Sequence, residues 1–157
     1  MQIFAKILLM GVSLFLEFVK KNRLPIVPIK ADKETTTAAE AAKVHGVPVA
    51  NIVKSLVVRE ADGSFAVYLC PGDRRLKLPE GTRMANASEV KEVTGHSIGG
   101  VPPFGHQQPL RTVIVDGFDP TTPLWAAAGA ADTNFQTTLG DLQKIAKIVN
   151  YQIGVTL

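Results

Sequence analysis

The sequence predicts an α+β fold in one domain, and three observations carry that expectation. Most apolar residues fall in short runs bounded by turn residues, which is the pattern of strands rather than of long helices. The 13 glycines and 10 prolines are scattered without a repeat, which suits many turns and excludes a helical bundle or a solenoid. Strand-like and helix-like segments do not alternate strictly, so a doubly wound βαβ arrangement is not expected. A length of 157 residues fits one ordinary domain, and 46% hydrophobic against 20% charged residues excludes disorder by composition.

Taking the elements in order, residues 7–16 form an uncharged apolar run preceded by Lys6, with the length of a signal-peptide core. No small-residue cleavage site follows, and the run is too short to span a bilayer. Leu14, Phe15, Phe18 and Val19 continue it at helical spacing. The expectation is a core-packing helix over 12–22 that stops before Pro25, with residues 1–11 as an apolar N-terminal extension of this first helix. Met10 offers an alternative start. Residues 25–30 carry two prolines and read as an edge strand. Thr35, Thr36 and Thr37 precede AAEAAKVHG, which predicts a short helix with a threonine cap and a stop at Gly46. Residues 52–59 and 65–70 read as a hairpin around Ala61, Asp62 and Gly63. A turn over 71–75 leads to an irregular basic segment, then to a helix over 87–94 with Ser88 as its cap. Strands are expected over 111–116, 124–128 and 134–138, an amphipathic helix over 140–149, and a closing strand over 151–155.

Composition narrows the chemistry only a little. The net charge of +3 is compatible with an RNA partner, but the basic residues sit in small groups and form no dense tract. Cys70 is the only cysteine, so there is no internal disulfide, which favours a reducing compartment. Lys54 stands inside an aliphatic strand. It reads either as a solvated edge cation or as a point charge with three donors for a phosphate or a developing oxyanion. The segment 95–105, GHSIGGVPPFG, suits a stiff rim whose amides face a ligand, and equally a structural crossover. His45, His96, His106 and Cys70 match no metal-ligand spacing, and no GxSxG nucleophile motif occurs. His106, beside the glycine loop, is a candidate for substrate contact or proton transfer.

The ordered motifs TAAEAAKVHGVP (37–48), IVKSLVV (52–58), CPGDRRLKL (70–78), TGHSIGGVPPFGH (94–106), LWAAAG (124–129) and GDL (140–142) resemble the YbaK/ProX-type aminoacyl-tRNA deacylases. The likeness runs over residues 12–155, so residues 12–157 read as an editing domain. The resemblance implies a mixed β-barrel-like sheet with peripheral helices. It also implies trans-editing hydrolysis of mischarged aminoacyl-tRNA, chiefly proline tRNA carrying a small wrong amino acid such as cysteine or alanine. By the same resemblance, Lys54, Gly99 and Gly100 are catalytic. Thr37, Ser55, Val101, Pro102, Pro103, Phe104, Gly105, His106, Ala128, Gly129 and Asn134 contact substrate. Ser55 replaces the usual threonine, Ala128 the first glycine of a late pair, and Asn134 the aspartate of some cysteine-specific members. Ala130 and Ala131 stand where those members carry lysine and arginine. These departures leave the edited amino acid open. The implied partners are the acceptor end of a mischarged tRNA and an aminoacyl-tRNA synthetase. A homodimer is left open, and no DNA, membrane, cofactor or metal is expected. The implied location is the cytoplasm. Two rival readings remain: a non-catalytic module that binds aminoacyl-tRNA or a synthetase, and a small-molecule esterase.

Overall fold

The computed structural model describes residues 2–148 and 152–155, with side chains described over 11–146. Helix α1 (Gln2–Lys21) leads into a short β1 (Ile29–Lys30) and helix α2 (Ala38–His45). A 3-10 turn at Val49–Asn51 opens the hairpin of β2 (Ile52–Arg59) and β3 (Phe65–Pro71). There follow β4 (Arg83–Met84), α3 (Ala87–Thr94), β5 (Arg111–Val115), β6 (Leu124–Ala130), β7 (Thr133–Thr137), α4 (Leu139–Ile148) and β8 (Gln152–Val155). One mixed sheet has the order β1-β7-β6-β2-β3-β5-β8, with β4 paired to β2. It is open between β1 and β8 and does not close into the barrel that the resemblance suggested. Among the described residues no helix is long and apolar enough to cross a membrane.

Local chemistry explains most element ends. The Thr37 hydroxyl accepts from the Glu40 amide at 3.1 Å, and Gly46 at φ 63° closes α2 in the left-handed region. Helix α3 departs from expectation, because Asn86 rather than Ser88 is its cap. The Asn86 side chain accepts from the Glu89 amide while the Glu89 carboxylate accepts from the Asn86 amide, both at 2.9 Å. Asn86 stands three residues before Glu89, the spacing of a reciprocal capping box, and Ser88 does not. Helix α1 starts well before residue 12. The 25–30 strand shrinks to two residues, since Pro25 and Pro28 have no amide to donate to a ladder.

The sheet is buried on both faces at its centre. Phe15 of α1 packs with Phe104 and Phe135 at ring separations of 5.7 and 5.1 Å, over Val57, Leu69 and Ile114. On the opposite face Val58, Tyr68, Cys70, Val113 and Val115 are covered by Leu56, Leu76 and Leu78. The segment after residue 75 is therefore a cover for the sheet, held by its alternate leucines. A third, smaller cluster joins Ala41 and Ala42 of α2 to Ile52 and Trp125.

One irregularity matters for function. Strand β2 pairs with β6 only through Ile52–Trp125 and Val53–Ala126, and with β4 only through Val58–Met84 and Arg59–Arg83. Between those contacts, over 54–56, no strand among the described residues is paired to that side of β2, and at Val57 the carbonyl accepts from the Ala85 amide. Lys54 stands in this gap.

Candidate functional site

A cavity of about 510 Å³ opens at the gap, a volume usual for small-ligand sites. The sheet contributes Ile52, Lys54, Leu56, Trp125, Ala127 and Asn134 to it. Thr35, Thr36, Thr37, Ala38, Ala39 and Ala41 come from α2 and its lead-in, and Ile98, Gly99 and Val101 from the glycine loop. Val49, Val53, Ser55 and Gly72 complete the lining. The register explains the arrangement. Val53 pairs with Ala126 and Ala127 with Asn134, so Lys54, Ala127 and Asn134 form a row on one face of three adjacent strands. Asn134 lies one paired-strand spacing from Ala127, ~4.8 Å, and Lys54 stands on the other side of Ala127, past the last β2–β6 pair. The small Ala127 side chain leaves that space open.

Among the described residues Lys54 is the only charged one in the lining. Its ammonium donates to the Arg74 carbonyl, so the 71–75 turn fixes where the cation points. That turn is itself tightly seated: a Cβ at Gly72 would lie 2.3 Å from the Val49 carbonyl oxygen. The Ser55 hydroxyl and the Asn134 side-chain nitrogen are buried without a hydrogen-bond partner among the described residues. The first-turn amides of Ala38 and Ala39 have no intrahelical acceptor, and Ala38 and Ala39 line the cavity. The start of α2 thus adds positive potential to that of Lys54.

The glycine loop divides into a half that faces the cavity and a half that anchors it. Gly99, at φ 91°, lies against Thr35 and Thr36, and its amide makes no hydrogen bond among the described residues. Gly100 is an anchor. Its amide donates to the Ser97 carbonyl and its carbonyl accepts from the Gly129 amide, each at 2.9 Å. A Cβ on Gly100 would meet the Ala130 backbone at 2.8 Å. Ala128 and Gly129 form the irregularity of β6 between the Ala127–Asn134 and Ala130–Thr133 pairs, and this bulge receives the loop. Thr35 donates from its amide and its hydroxyl to the Ala131 carbonyl, at 2.9 and 3.3 Å. The loop, the β6–β7 turn and the lead-in to α2 are therefore fastened together.

Of the residues expected to act, Lys54, Gly99, Thr37, Ser55, Val101 and Asn134 line the cavity. Gly100, Pro102, Pro103, Phe104, Gly105, His106, Ala128 and Gly129 are not among its lining. Phe104 is fully buried against Phe15 and Phe18, and Ala128 is fully buried as well. His106 donates from Nε2 to the Pro102 carbonyl at 2.7 Å, pinning the two ends of the loop. Its ring is enclosed except for a partly exposed edge, and burial holds its pKa down to about 4 against the opposing pull of the Pro102 carbonyl. His96 is fully buried, donates from Nε2 to the Gly105 carbonyl at 3.3 Å, and is likewise lowered by burial. Both are neutral at pH 7 and hold the back of the loop.

Sequence reasoning missed Thr35, Thr36, Ala38 and Trp125, whereas Ile98 opens the 98–106 loop expected at the site and Ala127 lies in the small-residue run 126–129 that could form a pocket wall. A signal for the first three is present in the sequence: a helix start with small residues leaves its amides accessible. Trp125, a lone aromatic among alanines, is another such signal. Among the described residues no cluster of three or more His, Cys, Asp or Glu side chains is arranged to hold a metal.

Comparison with known proteins adds the following. A sequence model of the aminoacyl-tRNA editing domain matches residues 32–145, the span that builds the cavity. The chain is 33% identical over 122 residues to the uncharacterized protein YwhH of Bacillus subtilis (strain 168), covering 73% of this chain and 78% of that protein. It is 38% identical over 77 residues to proline–tRNA ligase of Thermosipho africanus (strain TCF52B), covering 44% of this chain and 14% of that enzyme. The crystal structure of hypothetical protein APE2540 superposes with a TM-score of 0.78 at 26% identity, over 89% of this chain and 96% of that one. A crystal structure described as "a putative trans-editing enzyme for prolyl tRNA synthetase" superposes with a TM-score of 0.77 at 30% identity, over 91% and 94%.

Proposed function

Because the chain belongs to the aminoacyl-tRNA editing domain family, we propose that it hydrolyses the ester of mischarged aminoacyl-tRNA in the cavity beside Lys54. The substrate we assign is proline tRNA carrying a small wrong amino acid such as cysteine or alanine. The similarity to a proline–tRNA ligase and to a structure described as trans-editing for prolyl-tRNA synthetase supports the tRNA, and suggests a synthetase as partner.

The observation that carries the reading is the pairing of one cation with unpartnered amides in a cavity lined by no carboxylate. Such a site attracts a phosphate or an oxyanion; its hydroxyls, on Thr35, Thr36, Thr37 and Ser55, have no histidine or carboxylate in the lining to activate them. An aminoacyl ester is already activated and needs neither. In the mechanism Lys54 fixes the phosphate or ester end of the acceptor terminus. The Gly99 amide, with the first amides of α2 nearby, stabilises the tetrahedral oxyanion. A well-placed donor of this type contributes ~3 kcal/mol. The Gly100 amide, already bonded to Ser97, acts by holding Gly99 in place. Water attacks the carbonyl carbon, the bond to the ribose oxygen breaks, and the proton passes to groups on the substrate or to solvent. Selection follows from pocket size, at ~1–3 kcal/mol per methylene.

The test is a panel of tRNAs charged with cognate and non-cognate amino acids, followed for release of free amino acid. Rapid release from proline tRNA carrying alanine or cysteine, with the correct prolyl ester spared, is expected. Failure to deacylate any member refutes the hydrolase reading.

A further inference from the structure

We propose that Trp125 is the seat of the substrate's terminal nucleobase, with His45 as a positioning residue behind it. This rests on the editing reading for the nature of the substrate and adds a base subsite to it. Trp125 is the only tryptophan in the chain, is half-buried, and contributes to the cavity wall. The His45 ring lies parallel to the indole, with centroids 3.8 Å apart and an interplanar angle of 8°.

The histidine is present for its face and not for a hydrogen bond. Its Nε2 is buried without a partner among the described residues, and burial favours the neutral ring. A flat neutral ring stacked on an indole makes a stiff platform, the kind on which any nucleobase stacks.

The register supplies the distance. Trp125 and Ile52 form one cross-strand row, and Ala127 and Lys54 each stand two residues further along their strands, just past the last β2–β6 pair. Two strand residues span roughly 6.7 Å. Helix α2 and its lead-in run in the same direction, from Thr35 and Thr36 beside Gly99 to His45 on Trp125. The cavity therefore has a polar end at Lys54 and Gly99 and an aromatic end at Trp125, about one ribose apart. An ester on the sugar of the terminal nucleoside reaches the polar end while its base lies on the indole. A small aminoacyl side chain stays within a bond or two of the carbonyl and does not reach Trp125.

The single tryptophan makes the test direct. The full-length protein is titrated with adenosine 5′-monophosphate, ribose 5-phosphate and alanine methyl ester while intrinsic tryptophan fluorescence is followed. Saturable quenching by the nucleotide and by neither of the others is expected. In calorimetry Trp125→Leu should weaken nucleotide binding by roughly 5- to 150-fold, the range of one base–aromatic stack. Trp125→Phe should retain most of the affinity. His45→Ala should weaken binding, and His45→Phe, which keeps a flat ring, should restore it. No quenching by the nucleotide, quenching by the amino-acid ester instead, or undiminished affinity in Trp125→Leu would each overturn the base subsite. If Trp125→Leu does not fold, the wild-type titration and the Trp125→Phe and His45 variants still decide. None of these measurements depends on turnover, so a protein that binds the nucleotide but deacylates no tRNA refutes the editing reading and leaves this one standing.

Discussion

Lowering the pH from neutral to 4 should unfasten the back of the glycine loop, and His106 sets the size of the effect. In the fold its imidazole is held neutral, with a pKa lowered from 6.5 to about 4 chiefly by burial. The unfolded chain takes up that proton first as the pH falls. The stabilising contribution is therefore complete above about pH 6.5 and is lost as the pH falls through about 4. At ~1.4 kcal/mol for each pH unit between those values, the loss amounts to about 3 kcal/mol. His96 and His45 are shifted in the same direction by burial and add to it. The assay is urea unfolding at closely spaced pH values from 7.5 to 4 for the wild type and for His106→Gln. The glutamine amide can still donate to the Pro102 carbonyl but does not titrate. The variant should show a distinctly flatter profile. The upper part of the window belongs to the histidines, because the contribution of Glu89, held at about 2 in the fold by Arg83 and the Asn86 amide, is lost only below its ordinary value of 4.5. A wild-type stability that is flat between pH 7 and 5, or a variant as steep as the wild type, refutes this reasoning.

Two further substitutions probe the frame of the site. Gly100→Ala should destabilise by ~1–3 kcal/mol in urea unfolding and suppress activity, because its Cβ would press on the Ala130 backbone, which cannot rotate away. Asn86→Ala should lower stability by ~1 kcal/mol through loss of the α3 cap, seen as a lower urea midpoint. The same change keeps the backbone amide of residue 86 that donates to the Glu89 carboxylate, so the Glu89 pKa should stay well below its ordinary value in a carboxyl NMR titration.

Much of the fold was legible because its signals are local. Thr37 and Gly46 bracket α2, Gly63 turns the β2–β3 hairpin at φ 87°, and strands β2 and β3 fall close to their expected bounds. The closing strand, expected over 151–155, is described only at Gln152–Val155. The start of α1 was not legible, since an apolar run carries no cap to mark where a helix begins. Strand β4 is two residues long and exists only because Val58 and Arg59 offer it an edge. The site divides in the same way. Lys54 is conspicuous as a cation in an aliphatic strand, and the glycine loop by its composition. Composition does not say which glycine faces the ligand. Gly99 and Gly100 are adjacent, and only tertiary contacts with Ser97, Gly129 and Ala130 make the second an anchor. Phe104 shares the loop but turns into the core, because α1 brings Phe15 and Phe18 over it, and His106 turns back to the Pro102 carbonyl beside His96. The gap between β2 and β6 that forms the cavity depends on the pairing of distant strands, which no window of sequence displays.

In the proposed mechanism Lys54, set in that gap and aimed by the Arg74 carbonyl, supports ester hydrolysis without a carboxylate beside it. The most direct test is single-turnover deacylation of alanyl-tRNA for proline by the wild type and by Lys54→Ala, with the fold of each checked by circular dichroism. Folded Lys54→Ala protein that has lost a hundredfold or more in rate, in line with removal of about 3 kcal/mol of transition-state stabilisation, is the predicted result. Folded Lys54→Ala protein that hydrolyses the ester at the wild-type rate contradicts the account.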